Sequence, residues 1–162
     1  MNITIEKAVS QDLDAAAALY GAVCDYLADK PFNPGWRRDI FPSREDAEQY
    51  LAADGLYIAR DGGAVVGSIA LTPEGDHILR IQEAAVHPDR LRQGIGTALL
   101  DFAAKEAAAR GRPALRLYVW EGNAPAVRAY ERNGFVRIGK EDIGLGEFGL
   151  DWFYLYEKRI TA

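Results

Sequence analysis

The residues best suited to chemistry lie between Val86 and Leu100, in the run Val86-His87-Pro88-Asp89-Arg90-Leu91-Arg92-Gln93-Gly94-Ile95-Gly96-Thr97-Ala98-Leu99-Leu100. The run joins a strand-like segment to a helical one. A helix N-terminus leaves about four backbone N–H groups unpaired and carries about half a positive charge. Glycines at that point remove Cβ atoms, so an anion can approach the backbone. Arg90 and Arg92 add full charges close by. The segment therefore suits a phosphate or pyrophosphate, although two glycines alone could equally make a tight turn against a sheet. Two rival phosphate motifs fail. A Walker A loop ends in Gly-Lys-Ser/Thr, absent here, and the Rossmann fingerprint needs Gly or Ala where Leu99 stands.

A second block, Asn123-Ala124-Pro125-Ala126-Val127-Arg128-Ala129-Tyr130-Glu131-Arg132-Asn133-Gly134-Phe135, follows downstream. Together the two blocks resemble the paired motifs of the GNAT superfamily of acyl-CoA N-acyltransferases. The first motif of that superfamily reads Gln/Arg-x-x-Gly-x-Gly/Ala at the start of a helix after a strand. The blocks stand in the family's order and at its usual separation, and the flanking elements extend the likeness over nearly the whole chain. One position departs: Leu91 stands where the family has Gln or Arg. The resemblance thus implies a backbone phosphate cradle in which that polar side chain is missing or is replaced by Arg90 or Arg92.

The resemblance implies acetyl-CoA as cosubstrate and direct attack of an amine on the thioester carbonyl, with no acyl-enzyme. Amines are mostly protonated near neutrality, so a base or water chain must take a proton. The departing thiolate benefits from a donor, and Tyr130 matches the family's tyrosine in that role. A core aromatic is the plainer reading of Tyr130, since it shares a helical face with Ala126 and Val127. The implied cofactor-binding set begins with Ala85, Val86 and His87 at the strand end. It continues through Leu91, Arg92, Gln93, Gly94, Ile95, Gly96 and Thr97 in the turn, with Asn123 and Ala126 on the next helix. Asn123 is a good helix cap on any account and in the family also bonds the pantetheine arm. The strand holding Ala84, Ala85 and Val86 is expected to splay from its neighbour, exposing backbone N–H groups to pantetheine and to the acetyl oxygen.

Glu83 is the candidate general base, directly or through water, although a strand glutamate more often faces solvent. His87 precedes Pro88 at a strand end and its side chain is read as structural; His77 reads as a turn residue. No His/Cys/Asp/Glu cluster has metal spacing, so no metal is expected. Cys24, the only cysteine, has no partner for a disulfide and no placed histidine for a thiol nucleophile.

These residues need a scaffold. Ile3–Val9 alternates as a strand, and Ser10 is placed to cap an amphipathic helix carrying Leu13, Ala16, Ala17, Tyr20, Val23, Cys24 and Leu27. Ser43 with Asp46 suggests a capping arrangement for a second helix through about Ala53. Leu56–Arg60 and Ala64–Leu71 form a hairpin about Asp61-Gly62-Gly63. A third strand, Ile78–Val86, follows a Pro73–Asp76 turn. Ile95–Arg110 is a helix closed by Gly111, Ala114–Val119 a strand, and Asn123 begins a short helix ending at Asn133-Gly134. Phe135–Ile138 and Asp151–Lys158 complete the set. The fold class is α/β in the α+β mixed sense, one domain over 1–162, which the resemblance implies is an N-acetyltransferase domain. The element order gives a mixed sheet with helices packed on it, and the resemblance implies a mostly antiparallel, twisted sheet of about seven strands with helices on both faces and a splayed strand pair for the cofactor.

The chain has 162 residues, 49% of them apolar, enough to bury a core without disulfides. A net charge of −5 argues against nucleic acid or an anionic membrane as partner. The N-terminus lacks signal-peptide character, and no stretch reaches the about 20 apolar residues of a membrane span, so cytoplasm is the expected location. In the region where the resemblance implies an amine acceptor site stand Phe32, Trp36, Phe41, Tyr26, Trp120 and Trp152, with Asp29, Asp39 and Glu121, although loop aromatics more often just pack a lid. The resemblance also allows a homodimer. The alternative function is a non-catalytic acyl-CoA-binding module on the same fold.

Overall fold

The computed structural model describes residues 2–161. Seven strands form one sheet: β1 (Ile3–Lys7), β2 (Leu56–Asp61), β3 (Ala64–Glu74), β4 (Ile78–Val86), β5 (Ala114–Trp120), β6 (Val136–Glu141) and β7 (Phe153–Arg159). Their spatial order is β1-β2-β3-β4-β5-β7-β6, and every neighbouring pair is antiparallel except β4–β5. The helices are α1 (Leu13–Leu27), α2 (Arg44–Ala52), α3 (Ile95–Ala109) and α4 (Ala124–Arg132). This is the element order expected from the sequence.

Two cores flank the sheet. On one face Leu19, Tyr20 and Val23 of α1 and Ala47 of α2 pack with Leu56, Ile58 and Ala85. On the other, Ile95, Leu99 and Ala103 of α3 pack with Ile69, Leu79, Ile81 and Leu117, while Tyr130 of α4 covers part of that layer. Alternating side chains of each strand thus feed opposite layers, as the period of two requires.

Strand β4 breaks that alternation once. Its register against β3 runs Ala70 to Glu83, then Leu71 to Ile81, which leaves Gln82 as an extra residue in a bulge. Before the bulge, Leu79 and Ile81 face α3; after it, Ala84 and Val86 do. Glu83 and Ala85 are thereby turned to the α1 face, where Ala85 joins the other core. In an unbroken ladder, with Gln82 paired like its neighbours, Glu83 would share the α3 face with Leu79 and Ile81.

The parallel β4–β5 ladder is short. It pairs only Ile78, Leu79 and Arg80 with Ala114, Leu115 and Arg116. Beyond Arg80 the two strands part, so the edge of β4 from Ile81 to Val86 has no strand beside it on that side. This is the expected splay.

Local boundaries differ from the sequence reading in several places, among them β6 and β7, which run Val136–Glu141 and Phe153–Arg159 rather than Phe135–Ile138 and Asp151–Lys158. β1 stops at Lys7, and a single 3-10 turn over Ser10–Asp12 precedes α1. The carboxylate of Asp12, not the Ser10 hydroxyl, closes that turn by accepting the Val9 N–H at 2.9 Å. β3 continues through Pro73 and Glu74, so the turn before β4 is confined to Gly75–His77. The proline is tolerated because a β-strand end needs fewer ladder donors. The second helix begins as expected, with the Asp46 carboxylate accepting the Ser43 N–H at 2.8 Å.

Candidate active site

The splay opens a cleft of about 1430 Å³ between β4 and β5. Ordinary small-molecule pockets hold about 300–1000 Å³, so there is room for two substrates meeting end to end. At one end lies the turn into α3. Gly94 takes φ +83, a left-handed conformation suited to glycine, and Arg92 takes φ +64. Ala98 donates to the Gly94 carbonyl at 3.0 Å, closing the first helical turn. The N–H groups of the turn before it point out of the helix end.

Gly96 has a different reason to be glycine. Its φ is ordinary, and a Cβ built there would meet nothing nearer than Val86 Cγ2 at 3.9 Å. Packing against the sheet therefore does not require glycine at this position. The missing side chain leaves the helix end open toward the cleft, the kind of opening a pyrophosphate needs. Arg92, Arg128 and Arg132 line the same cleft, and among the described residues none of the three has an acidic partner within ion-pair distance. Arg90 is different: its guanidinium is engaged by Asp61 and donates to Gln93 Oε1 at 3.0 Å.

At the middle of the cleft stands Glu83. It is 3% exposed and is the only carboxylate on the cleft wall among the described residues. The solvated face that a strand glutamate more often takes is not the one Glu83 has, because the Gln82 bulge turns it under α1. One carboxylate oxygen accepts from the Tyr20 hydroxyl at 3.0 Å and the other from the Ser68 hydroxyl at 2.9 Å. Burial raises its pKa to about 8, against the opposing pull of those two donors, with the Asp46 charge adding to the rise. The group is poised to exchange a proton near neutrality.

Tyr130 lies across the splay on α4, half-buried, with its ring edge-on to Phe135 at 5.8 Å. Burial raises its hydroxyl to about 12, and the nearby Glu83 charge acts in the same direction. It therefore stays protonated across the physiological range and is available as a donor. Its ring packs on the core, as the plainer sequence reading has it, while the residue also lines the cleft. Asn123 begins α4, its Oδ1 accepting from Ala126 N–H at 3.4 Å.

The Acetyltransferase (GNAT) family model matches residues 9–135, most of the chain. The chain belongs to the GNAT acetyltransferase family. Among curated relatives, the mycothiol acetyltransferase of Thermomonospora curvata is 33% identical over 111 residues, covering 68% of this chain and 37% of that protein. The chain thus spans less than two fifths of the length of the curated relatives it matches first, 37% and 38%. Among solved structures, Ard1 from Thermoplasma volcanium superposes with a TM-score of 0.81 at 19% identity, covering 100% of both chains. The PaiA N-acetyltransferase from Thermoplasma acidophilum, solved in complex with coenzyme A, gives 0.77 at 22% identity, covering 98% of this chain and 99% of that one. At these identities the two structures establish a shared fold.

For this GNAT chain, most of the residues singled out in the sequence meet on one cleft. Ala85, Val86, Leu91, Arg92, Gly94, Ile95, Gly96, Thr97, Asn123 and Ala126 all line it with Glu83 and Tyr130. His87 and Gln93 do not. The His87 ring accepts the Asp89 N–H at 3.1 Å and Gln93 holds Arg90, so both side chains are spent inside the turn. Of the residues expected around the acceptor, Tyr26, Phe32, Trp36, Phe41 and Trp120 line the cleft. Trp152 does not, its ring lying 5.2 Å from the Lys140 ammonium. Nor do the expected acids: Asp29 pairs with Lys30 and Glu121 with Lys140, while Asp39 sits in the loop at φ +63.

Sequence reasoning missed Tyr20 and Ser68 as partners of Glu83. Tyr20 falls on the apolar stripe of α1 and looks like any core residue. Ser68 did carry a signal, as a lone hydroxyl in the run Val65-Val66-Gly67-Ser68-Ile69. A polar side chain in a buried strand needs a partner. Among the described residues, no group of His, Cys, Asp and Glu gathers as a metal site. Among the same residues, no helix is long and apolar enough to cross a membrane.

Proposed function

We propose that this chain is an N-acetyltransferase that moves an acetyl group from acetyl-CoA to a primary amine of a small molecule, amino acid or peptide, by direct attack. The observation that carries the reading is the meeting of Glu83 and Tyr130 on the two sides of the β4–β5 splay, with the open Gly94–Gly96 helix end on the same cleft. Acetyl-CoA supplies the activated thioester. Its phosphates fit the α3 end with Arg92, Arg128 and Arg132 as counter-charges, and Asn123 is within the wall for the pantetheine arm.

The amine arrives protonated and must lose a proton before it attacks. Glu83 takes that proton, directly or through a water, and its carboxylate is held for the task by Tyr20 and Ser68. The unpaired edge of β4 offers backbone N–H donors toward the acetyl oxygen as charge builds there. As the new C–N bond forms and the C–S bond breaks, the Tyr130 hydroxyl donates toward the departing sulfur. The second amine proton returns to Tyr130, so the products are the acetamide and the free thiol. Holding both reactants in one cleft supplies much of the remaining acceleration.

A panel of amines incubated with acetyl-CoA, followed by thiol release, tests the reading. Turnover with at least one amine is expected, and absence of acetyl-CoA binding at millimolar concentration by calorimetry would sink it. Leu91, exposed and apolar at the family's Gln/Arg position, favours a second reading as an acyl-CoA-binding module. Tight acyl-CoA binding with no transfer to any amine would select that one.

A further inference from the structure

The half of the cleft away from α3 has a chemical character of its own. It is walled by the loop between α1 and α2 and by the connection between β6 and β7, which touch where a Cβ on Gly35 would lie 3.1 Å from Leu150 Cδ1. Five of the large apolar side chains that remain exposed on the protein gather there: Tyr26, Ile40, Phe41, Ile143 and Phe148. Ile40 and Phe148 are 63% and 67% exposed. Scattered exposed apolar residues need no explanation, but five gathered on one cleft signal a ligand with apolar surface.

The charges point the same way. Six arginines line the cleft, Arg37, Arg80, Arg90, Arg92, Arg128 and Arg132, against the single carboxylate of Glu83 among the described residues, and Arg92, Arg128 and Arg132 are the three that face the phosphates in the acetyl-transfer reading. Glu83 is buried and occupied by two hydroxyls, so it offers one seat for one cationic centre. Arg80 is held by Glu74 and Arg90 by Asp61. Arg37 lines the same wall as Trp36 and Phe41, its backbone bridged to that of Phe41, and among the described residues no acid lies within ion-pair distance of it. In this half of the cleft a second positive charge on the acceptor would meet Arg37 and, among the described residues, no acid on the wall besides Glu83, and such a mismatch is how a site rejects a wrong ligand.

We infer that the acceptor is a monoamine with a large aromatic or branched aliphatic body, whose further charge, where it has one, is a carboxylate facing Arg37. This rests on the acetyl-transfer reading and narrows it. Apolar amino acids and arylalkylamines belong to the class; polyamines and aminoglycosides do not.

The test compares phenylalanine, phenethylamine, spermidine and kanamycin as acceptors, by thiol release from acetyl-CoA, with acetyl-CoA binding measured separately by calorimetry. The kcat/KM of an aromatic monoamine is expected to exceed that of spermidine and kanamycin by at least about tenfold. Arg37→Gln is expected to cut the preference for phenylalanine over phenethylamine by about tenfold, the scale of one charge-assisted contact. Preference for spermidine or kanamycin, or acetyl-CoA binding with no transfer to either aromatic amine, would overturn the inference. An Arg37→Gln enzyme with unaltered preference would overturn the carboxylate contact. Failure to bind acetyl-CoA at all would instead strike the underlying reading.

Discussion

The hydroxyl of Tyr20 donates to the carboxylate of Glu83 across 3.0 Å, joining residues 63 apart in sequence in a fully buried contact. The bond ties α1 to the central strand at the point where the sheet opens. Together with the Ser68 hydroxyl it also holds down, against burial, the pKa of the one acid on the cleft wall among the described residues.

Removing a donor should therefore change how Glu83 titrates. Both Tyr20 and Ser68 hold the Glu83 pKa down against burial. In Tyr20→Phe or Ser68→Ala it should rise further above about 8, moving the ascending limb of the kcat/KM pH profile to higher pH. Each variant should also lose about 1 kcal/mol of stability. An unmoved limb with lowered stability would leave both residues with a structural role only.

Glu83→Gln keeps the shape and removes the proposed base. Turnover should fall by about 100-fold or more, with the affinity for acetyl-CoA retained. Stability gives a second readout. A buried carboxyl with a folded pKa of about 8, against 4.5 unfolded, binds more protons folded than unfolded between those values. Stability of the parent protein should therefore fall as pH rises from 4.5 toward 8, and denaturant titrations of Glu83→Gln should lack that slope. A parallel slope in both proteins would contradict the assignment.

Tyr130→Phe should lower kcat by about 100-fold while leaving the KM for acetyl-CoA within a few-fold. With the hydroxyl raised to about 12, the parent profile should show no descending limb from this group below that pH. Rate profiles of both proteins between about pH 6 and 10 would check this, and an undiminished kcat would remove Tyr130 from the mechanism.

The two turn glycines should respond differently to alanine. Gly96→Ala meets nothing closer than 3.9 Å, so thermal stability should be nearly unchanged while acetyl-CoA binding weakens. Gly94→Ala places a Cβ at φ +83 and should cost about 1–2 kcal/mol of stability as well. Melting curves paired with calorimetry separate the two; a Gly96→Ala protein that binds acetyl-CoA normally would show that the cradle lies elsewhere.

Much of this fold was legible because its signals are local. The helical spacing of α1 and α3, the Ser43–Asp46 arrangement, the Asp61-Gly62-Gly63 turn and the Asn123 cap each announce themselves within a few residues. The fate of Glu83 does not. Its burial depends on a bulge and on partners in α1 and β3 that are distant in the chain, and alternation alone would have sent it to the wrong layer. The arginines show the same divide: nothing local tells that Arg90 is held by Asp61 while Arg92 is not. The acids expected at the acceptor end failed for a related reason, since composition in a loop does not tell which way its side chains turn.

The Gln82 bulge carries one more consequence, which concerns how this chain tolerates change in length. Surface loops accept insertions and deletions of many sizes, whereas a strand is governed by odd and even. Loss of one residue from a regular stretch of β4 would carry everything beyond it to the opposite side. Gln82 is the exception, because it has no opposite number on β3. Taking it out would seat Glu83 directly after Ile81, on opposite faces of the strand, as they already are. Gln82 thus acts as a spacer that corrects the count, and the position of Glu83 is set by arithmetic as much as by residue type. It is the one place in this strand where a residue can be dropped while each side chain keeps its layer.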